Sequence, residues 1–584
     1  MSASEFLSHI LFEFSYWHAM HDVPFKPRAY ELASEAVFGL GNQIEETWRR
    51  DGIKGLKKLP GIGQGIAEKI DEYFRTGHIK EYEQFKKTFP VAIWELAQIE
   101  GMGPKNIQEL WINLKVKNLT DLKKALAEHK VRALPRFGEK SEERIARGLS
   151  LLKKSSGRQL LGSVLPVADQ IVKELSAVPG VKRCLYAGSL RRKQETIGDI
   201  DLIATAENAD RVMEVFTHLP EVLSIHERGK TRSSVRLIMG IDADLRVVPD
   251  AKYGAVLQYF TGDKHHNVLL RERAIKKGYK LNEYGLFRGK KLIVCKTEEE
   301  IYQKLGMDTP PPELRIGADE IEAALARKLP RLLPYRSVRG DLQTQTEWTD
   351  GNASIKEMAQ AAKKQTLEYI AITDHTKALA FINGLDEPHI KKQGKEIDKL
   401  NKTLDRRIYS RLLKGSEVDI HADGSLDADD RVLAELDWVG VSIHSGFAMD
   451  KQEMTKRIVH ALQNPNVDCL FHPTGRLIGK RDPYAFDFDE VLAAAKKFRV
   501  ALEIDCYPDR SDLMDKQVRA AVQAGVSLVI DTDAHDPDHF SFIPLGEAIA
   551  RRGWAAKKDI INTKSLKDLH AWLEKKRKRT SWSA

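Results

Sequence analysis

The sequence predicts a multidomain protein with a helical N-terminal part, a mixed α+β middle part and a C-terminal part of alternating strands and helices. The first observation is length, because 584 residues are too many for one hydrophobic core. The second is a change of pattern near residue 160, where short β-rich runs begin. The third is repeated strand–helix alternation after about residue 336, which is typical of a parallel sheet or barrel.

The overall composition, 42% hydrophobic and 30% charged residues, fits a globular protein rather than a disordered or membrane protein. No apolar run approaches the length of a membrane span, and the N-terminus lacks a basic signal region, so we expect a cytoplasmic protein without membrane contact. The four cysteines form no CxxC pair, which argues against a disulfide framework or a cysteine zinc site. The net charge of +9 favours a polyanionic partner, although a solvated basic surface explains it equally well.

Residues 1–155 read as short amphipathic helices separated by glycines. The segments LPGIGQGIAEKI (59–70) and IEGMGPKNIQEL (99–110) share a G-x-G turn before a helix, and LPRFGEKSEERI (134–145) is a looser copy. A helix C-cap before a tight turn is one interpretation. Two close copies on a basic chain favour another, in which backbone N–H groups bind DNA phosphates. These turns resemble helix-hairpin-helix motifs, and the predicted contact residues are Gly61, Gly63, Gly65, Gly101 and Gly103.

The middle part contains a cluster of carboxylates. In YAGSLRRKQETIGDIDLI, Asp199 and Asp201 lie two residues apart on a predicted strand, so both face one side. Adjacent carboxylates repel each other unless a divalent cation lies between them. A neighbouring predicted strand, GIDADLRVV, supplies a third carboxylate from Asp242 or Asp244. Three such groups can hold two Mg²⁺ ions that activate an attacking hydroxyl and stabilise a leaving pyrophosphate.

Upstream residues fit the same chemistry. Gly188 and Ser189 could contact phosphate, and Arg192 could neutralise developing charge. A D-x-D motif alone often only ends a strand. Together with GSLRR and a third aspartate, however, it resembles the nucleotidyltransferases and, closely, the family X DNA polymerases. In that family the third ligand precedes an arginine, so the resemblance selects Asp244, which precedes Leu245-Arg246, over Asp242.

The resemblance covers roughly residues 1–315 and implies an α+β nucleotidyltransferase palm followed by a thumb. It implies that Tyr259, Phe260 and Gly262 in the YFTG turn contact the sugar of the incoming nucleotide and exclude a 2′-hydroxyl. It also implies that Asn267 reaches the base edge. Arg246 and Arg271 are the DNA contacts that it implies, while Lys264 stands where the family varies.

The N-terminal helices resemble the small lyase domain of the same family. Lys69 stands where animal members carry the Schiff-base lysine that removes a 5′-deoxyribose phosphate, and Lys26 where a residue binds the 5′-phosphate. An amine nucleophile needs a depressed pKa. Glu81 stands where a further basic residue is expected, and an ordinary exposed helix lysine explains Lys69 equally well.

The C-terminal part has histidine and aspartate at its predicted strand ends, in YIAITDH, WVGVSIH, VDCLFH, VALEID and VSLVIDTDAH. Parallel β/α folds place their chemistry at such ends, and this set indicates a polynuclear metal site that cleaves a phosphoester. It resembles the PHP (polymerase and histidinol phosphatase) domain, a distorted β/α barrel. That resemblance implies bound Mn²⁺ or Zn²⁺ and 3′→5′ exonuclease activity. The metal ligands that it implies are Asp350, His375, Glu417, His444, His472, Asp533 and His535.

One motif of that domain is altered. The family pattern DLHxHxxxSDG reads here as DLQTQTEWTDG, in which strand alternation would project Asp341, Gln343 and Gln345 together. A glutamine oxygen is a poorer Zn²⁺ ligand than imidazole. Asp505 also stands where the family usually has asparagine. We therefore expect a weakened or Mn²⁺-restricted nuclease with ligands for two metal ions.

These observations predict a DNA-directed DNA polymerase that fills short gaps during DNA repair. Its partners would be gapped or nicked DNA and deoxynucleoside triphosphates, with Mg²⁺ or Mn²⁺ at the three aspartates. The alternatives are a PHP phosphoesterase delivered to DNA by a non-polymerising N-terminal half, and a non-catalytic DNA-bridging protein. The predicted divisions are a lyase-like domain (1–85), a fingers-like domain (86–155), the palm (156–250), the thumb (251–318), a linker (319–335) and the PHP domain (336–584). Within the linker, EIEAALARKLPRLLPY (320–335) is predicted to be a charged helical connector. The basic tail KKRKR (575–579) is interpreted as a solvated end, with nucleic-acid contact as the alternative.

Overall fold

The structure is a computed structural model that describes residues 3–40, 43–59, 61–99, 101–155, 157–294, 296–379 and 382–580. The chain divides into two compact units, one made chiefly of residues 1–157 and the other chiefly of the residues that follow. Within the described ranges, no helix is long and apolar enough to cross a membrane. The described cysteines are free thiols, and Cys295 lies outside the described residues.

The first unit is helical, as the glycine-punctuated apolar pattern predicts, and no strand occurs in its described residues. Its helices are α1 (Ala3–Met20), α2 (Lys26–Leu40), α3 (Gln43–Leu56), α4 (Gln64–Thr76), α5 (Lys80–Thr88), α6 (Ile93–Ala97), α7 (Pro104–Leu114), α8 (Leu119–Ala127) and α9 (Glu139–Ser155). The first four bury one apolar core around Phe14 and Ile66, while α5–α9 contribute most of a second around Phe89 and Leu110. The two cores hold the glycine turns between the helices.

The second unit begins with the sheet that carries the central aspartates. The strands of this region are β1 (Gln159–Leu160), β2 (Val181–Tyr186), β3 (Thr196–Ile197), β4 (Asp199–Ala206), β5 (Val222–Arg228), β6 (Arg232–Leu237) and β7 (Asp242–Val247). Five strands form one sheet in the order β2-β4-β7-β6-β5, in which only β4 and β7 are parallel. The β-rich runs of the sequence become β2, β4, β6 and β7. The edge strand β5 was not predicted because most of its side chains are exposed and form no apolar run.

Helices cover this sheet and lead into a smaller α+β region. The helices are α10 (Leu161–Ser176), α11 (Gly188–Arg191), α12 (Ala209–Thr217), α13 (Tyr253–Thr261), α14 (Lys264–Lys276), α15 (Glu298–Lys304) and α16 (Glu320–Leu325). An antiparallel sheet of β8 (Lys280–Asn282), β9 (Gly285–Arg288) and β10 (Lys291–Val294) follows α14. The charged connector 320–335 was predicted to be helical throughout. That prediction was wrong in length, because the helix ends at Leu325 and Pro330 and Pro334 cannot continue it.

The C-terminal part is a nearly closed parallel barrel, which confirms the predicted fold class. Its strands are β11 (Gly340–Thr344), β12 (Tyr369–Ile372), β13 (Arg411–Asp419), β14 (Trp438–Ser442), β15 (Cys469–Leu470), β16 (Ala501–Asp505) and β17 (Leu528–Asp531). They pair in chain order, and a bridge between Thr344 and Ala534 links the first edge to the last. The longest strand, β13, was not among the predicted β-rich runs.

Helices surround the barrel, and one of them covers the end at which its strands begin. They are α17 (Ile355–Lys364), α18 (Glu387–Thr403), α19 (Asp430–Leu433), α20 (Lys451–Leu462), α21 (Phe488–Phe498), α22 (Asp515–Ala524), α23 (Ile543–Arg552) and α24 (Leu566–Thr580). Leu569 and Leu573 of α24 pack into an apolar core with Trp438 from the strands. Lys576 is buried, and its ammonium donates to Asp468 at 2.6 Å.

Candidate active sites

The first site lies on the parallel pair β4 and β7. Their register places Asp199 opposite Asp242 and Asp201 opposite Asp244. Residues two apart on a strand face the same side, so all four carboxylates share one face of the sheet. The apolar residues between them, such as Ile200 and Ala243, are buried on the other face and hold the strands in place.

The four carboxylates differ in their hydrogen-bond partners and in their pKa. Asp242 accepts a hydrogen bond from Arg236 at 2.9 Å and lies 3.2 Å from His226, and these contacts lower the pKa of its carboxyl. Oδ1 of Asp244 is buried and has no hydrogen-bond partner in the described part of the chain. Burial, with Asp199 and Asp244 nearby, raises the pKa of Asp201 to about 7. Unpaired carboxylate oxygens fit a divalent cation, which favours Asp244 over Asp242 as the third ligand.

Gly188 brings the backbone close to this cluster. Its φ is +58°, and a Cβ built there would lie 2.6 Å from Oδ2 of Asp201. The preceding Ala187 N–H donates to the carbonyl of Asp201 at 2.7 Å. Glycine is therefore required twice over, for its conformation and for the close approach. Ser189 follows directly in α11, so both residues predicted to contact phosphate lie beside Asp201.

Arg192 joins this turn to the YFTG segment. Its guanidinium donates to the carbonyl of Thr261, while its Nε is buried without a hydrogen-bond partner among the described residues. Burial lowers the pKa of Arg192. The preceding Arg191 donates to the Thr261 hydroxyl at 2.6 Å and to both carboxylate oxygens of Glu298, at 3.0 and 2.6 Å. Arg191 and Arg192 thus connect the predicted phosphate turn to Thr261 of the YFTG segment.

The aromatic and DNA-contacting predictions lie around the same segment. The rings of Tyr259 and Phe260 are 5.3 Å apart, and the guanidinium of Arg246 lies 4.6 Å from the Phe260 ring. The Asn267 amide donates to the carbonyl of Tyr259 at 2.7 Å and accepts from Gln258 at 2.8 Å. These bonds fix the Asn267 side chain, and its contact with a base edge stays a prediction. Arg271 is exposed one turn further along α14.

In the first unit, the two glycine hairpins repeat one geometry. Gly61 and Gly101 have φ of +73° and +85°. Gly63 and Gly103 are extended residues immediately before α4 and α7, and their carbonyls accept the N–H groups four residues on at 2.9 and 3.0 Å. Among the described residues, no neighbouring atom lies within 4 Å of a Cβ built on Gly63, Gly65 or Gly103, so the backbone there is open to a ligand. Pro60 and Glu100 lie outside the described residues.

Lys69 lies in a partly buried environment. Its ammonium is 2.8 Å from Glu81, and its side chain is only 14% exposed. Burial lowers the pKa of Lys69, but the hydrogen bonds that its ammonium makes with Glu81 and Tyr30 raise the pKa by more, so it lies above the ordinary value. A Schiff-base nucleophile needs the opposite shift. Lys26 is exposed at the start of α2, and its binding of a 5′-phosphate stays a prediction.

The second site surrounds Glu417 inside the barrel. One carboxylate oxygen of Glu417 pairs with His472 Nε2 at 2.9 Å and lies 3.3 Å from His444 Nε2, while the other lies 3.8 Å from His375 Nδ1. Because parallel strands end at one rim of a barrel, residues at or just beyond β12, β13, β14 and β15 meet there. Asp419 orients the His444 ring from behind through a 3.0 Å contact to Nδ1.

Two groups of three residues could each hold an ion. Asp350, His375 and His535 form one, and His375, Glu417 and His444 form the other; in each, the ligand atoms lie within 4.8 Å of one another. Burial lowers the pKa of His535, but Asp533 and Asp350 raise it overall to about 10. The pKa of His444 rises to about 9 because Asp419 and Glu417 outweigh burial. This excess of negative charge fits divalent cations.

The glutamines face the same carboxylate. The side-chain amides of Gln343 and Gln345 each donate to the Glu417 oxygen that faces His375, both at 2.8 Å. Asp341 does not join them. It accepts the Thr532 hydroxyl at 2.6 Å, because the register of β11 shifts between Asp341 and Thr344. The prediction that all three residues project together was therefore wrong for Asp341.

Two of the predicted ligands, His472 and Asp533, belong to neither group of three, and Arg510, which the sequence analysis did not predict, lies near Asp533. Arg510 Nε lies 3.4 Å from Asp505 and 3.5 Å from Asp533. Arg510, with burial, lowers the pKa of His472 to about 4. Arg510 belongs to the loop after β16, and only its position five residues after a predicted ligand position could have drawn attention to it.

Comparison with known proteins covers nearly the whole chain. The protein named "DNA polymerase/3'-5' exonuclease PolX" of Bacillus subtilis is 36% identical over 564 residues, 96% of this chain and 97% of that protein. DNA polymerase lambda of Rattus norvegicus is 25% identical over 44% of this chain and 48% of its own length. A probable phosphatase of Thermoanaerobacter sp. is 27% identical over 39% of this chain and 90% of its own length.

Family models match four stretches of the chain. They are a helix-hairpin-helix domain at 6–79, a helix-hairpin-helix tandem at 93–150, the DNA polymerase beta thumb at 256–316 and the PHP domain at 341–505. The chain therefore belongs to the family X DNA polymerases of the PolX type, which carry a C-terminal PHP domain.

Proposed function

We propose that the protein is a DNA-directed DNA polymerase that fills short gaps in DNA during repair. The observation that carries this proposal is the register of β4 and β7, which sets Asp201 against Asp244 with Asp199 on the same face. The buried, unpaired oxygen of Asp244 supports a cation there. All-oxygen donors suit hard ions, so we assign Mg²⁺ or Mn²⁺ to these three residues.

The residues of the chain would prepare the reactants. Bound divalent ions would activate the primer 3′-hydroxyl and stabilise the leaving pyrophosphate. Gly188 and Ser189 would hold the triphosphate through backbone and hydroxyl groups, and Arg192 would balance its charge. Tyr259 and Phe260 would lie against the sugar and exclude a ribonucleotide by contact. The glycine hairpins of the first unit would bind the DNA backbone without reading its sequence.

The test separates binding from chemistry. Asp201→Ala should bind gapped duplex DNA with the affinity of the wild type, because the carboxylate does not contact DNA in this proposal. It should abolish metal-dependent primer extension on the same substrate. Retained extension by Asp201→Ala would refute the assignment.

We also propose that the PHP barrel is a weakened 3′→5′ exonuclease that uses Mn²⁺ or Zn²⁺. Asp350, His375, Glu417, His444 and His535 supply two ligand groups, and a bound ion there would deliver hydroxide to a phosphoester. Gln343 and Gln345 donate hydrogen bonds to Glu417 where the family has imidazole ligands. Such a change should cost at least roughly 10- to 100-fold in affinity or activity.

Restoring the histidines tests this second activity. Gln343→His/Gln345→His should degrade a 3′-terminated strand faster than the wild type at equal Mn²⁺ concentration. A control with Asp199→Ala in both backgrounds removes any contribution from the polymerase site. Robust nuclease activity in the wild type, unchanged by the two substitutions, would overturn the proposal.

The alternatives remain distinguishable by one assay. A PHP phosphoesterase with a non-polymerising N-terminal half would degrade a gapped substrate whether or not nucleotides are present, and a DNA-bridging protein would leave it intact. A polymerase extends it only with nucleotides. Lyase activity at Lys69 stays a prediction, and borohydride trapping on a 5′-deoxyribose phosphate end would detect it.

A further inference from the structure

The palm and the PHP barrel meet at Glu195, a residue that neither proposed reaction uses. Glu195 follows Arg192 by three residues and precedes Asp199 by four, in the segment between the phosphate turn and β4. Its carboxylate receives both Nη groups of Arg476, at 2.6 and 3.1 Å. The Arg476 side chain is 7% exposed and that of Glu195 is 26% exposed, so this two-point pair is only partly accessible to water.

The same arginine holds the loop beside the nuclease site. Nε of Arg476 donates to the carbonyl of Arg510 at 2.9 Å, and a second guanidinium nitrogen donates to the carbonyl of Ser511. The Arg510 side chain extends from this loop to Asp505 and Asp533. Arg476 therefore links the carboxylate of Glu195 to the backbone that presents Arg510.

On the other side, a second arginine holds the palm segment. Arg552 donates to the carbonyl of Lys193 and lies 3.6 Å from Glu195. Lys193 directly follows Arg192, which donates to the carbonyl of Thr261 in the YFTG segment. The segment 192–195 is therefore fixed at one end by the turn that would contact the nucleotide and at the other by two arginines of the barrel.

We propose that Glu195 is a positioning residue shared by the two active sites. It would fix Arg192 for the incoming nucleotide and, through Arg476, fix Arg510 beside Asp533. The kinetic part of this inference rests on the proposed polymerase reaction, whereas the part that concerns the Arg510 loop does not. The contact between Glu195 and Arg476 joins residues 281 positions apart in the sequence. In this proposal it connects the two sites physically within this unit.

A matched control is available at the same interface. Glu313 accepts Arg551 at 2.8 Å and Tyr335 at 2.9 Å, and it is 6% exposed; among the described residues, neither of these hydrogen bonds involves a residue proposed for either active site. Glu195→Gln removes a carboxylate from Arg476 and from Arg552 of α23, and Glu313→Gln removes one from the neighbouring Arg551. Glu195→Asp keeps the charge and provides a milder variant in case Glu195→Gln folds poorly.

In gap filling, Glu195→Gln should raise KM for the nucleotide by about 10-fold with a smaller change in kcat, because a misplaced Arg192 weakens ground-state binding. Glu195→Asp should show a partial effect, and Glu313→Gln should stay close to the wild type. Hydrogen exchange of the full-length protein should show faster exchange at both 188–194 and 508–512 in Glu195→Gln, and at neither segment in Glu313→Gln.

The exchange result is independent of catalysis, so it distinguishes failure of this inference from failure of the polymerase proposal. Faster exchange at only one of the two segments would overturn the shared role. Equal effects of Glu195→Gln and Glu313→Gln would also overturn it, since they would assign Glu195 to interface stability alone. Unchanged KM and kcat in Glu195→Gln would contradict the positioning of Arg192.

Discussion

Asp242 and Asp244 show how two identical side chains on one face of a strand come to differ in their suitability as a metal ligand. They lie two residues apart on β7, but Arg236 already pairs with Asp242, and His226 lies 3.2 Å from the same oxygen. Asp244 has an unpaired buried oxygen instead. The sequence alone left both residues open as the third ligand, and only resemblance to a family selected between them. The structure supplies a physical reason for the same choice.

Asp244→Asn should reduce primer extension by about 100-fold or more, because a lost metal ligand costs several kcal/mol of transition-state stabilisation. Asp242→Asn should retain extension within about threefold, since it only weakens an exposed ion pair. Single-nucleotide incorporation on a gapped duplex measures both. Similar losses in the two variants would show that Asp242 also serves the reaction.

Gly188→Ala should also abolish extension, since the new Cβ would displace the Asp201 carboxylate. Gly278→Ala is the matched control. Its φ is +75° and its surroundings are open, so it should lose only about 1 kcal/mol of stability through backbone strain. Denaturation and extension assays on both variants separate strain from displacement. Normal extension by Gly188→Ala would contradict the close approach.

At the scale of elements, α14 and α16 are joined by a buried histidine. His266 Nδ1 lies 2.7 Å from Glu320, and Nε2 lies 2.8 Å from the Tyr302 hydroxyl. Burial lowers the pKa of His266, and Arg315 lowers it further, against the opposing effect of Glu320. Glu320 also accepts the N–H groups of Gly317 and Ala318, so this cluster fixes the end of the thumb region.

Acidification should therefore loosen α14. A histidine whose folded pKa is depressed contributes its stability above the unfolded pKa of about 6.5 and loses it as the pH falls below that value. The lowered pKa of Glu320 adds a loss with the same sign at lower pH. Hydrogen exchange in α14, corrected for intrinsic rates, should report less protection at about pH 5 than at about pH 7.

His266→Gln is the control for this effect. It should remove most of the pH dependence between these two values, because the neutral amide does not titrate. An unchanged pH dependence in His266→Gln would assign the loosening to another group.

Strand β11 shows how far sequence reasoning reaches at this scale. Alternating polar residues correctly predicted a strand, and its place beside the other ligands followed from the parallel fold. The orientation of Asp341 could not be predicted, because a register shift in the middle of β11 depends on its pairing with β12. Strands β13 and β5 could not be predicted for a similar reason, because they form through pairing with neighbouring strands and their own hydrophobic patterns do not indicate strands.

For the whole molecule, the sequence predicted the order of helical, mixed and barrel parts, because each has its own hydrophobic period. It also placed most candidate ligands at strand ends, where the barrel brings Glu417 and three histidines together. It did not predict Arg510, Arg476 or Glu195. Those contacts depend on how segments far apart in sequence pack, and no local period records that packing.

The barrel as a whole should depend on Lys576. The KKRKR tail was interpreted as a solvated basic end, which is wrong for Lys576, whose ammonium pairs with buried Asp468. Lys576→Ala should destabilise the barrel by about 3 kcal/mol, because it leaves a buried carboxylate without its cation. Lys567→Ala, earlier on the same helix and exposed, should change stability little. Protease sensitivity of the barrel in urea would measure the difference.

The position of α24 has a consequence for synthesis in the cell. Helix α24, which covers the end of the barrel at which the strands begin, is the last described element of the chain, and β11 bridges to residues that follow β17. The barrel therefore cannot close completely until α24 has been synthesised and has left the ribosome, whereas the helical first unit can fold while translation continues. During that interval the strands of the barrel expose apolar surface that α24 later covers, so the barrel is the part of the chain most open to aggregation.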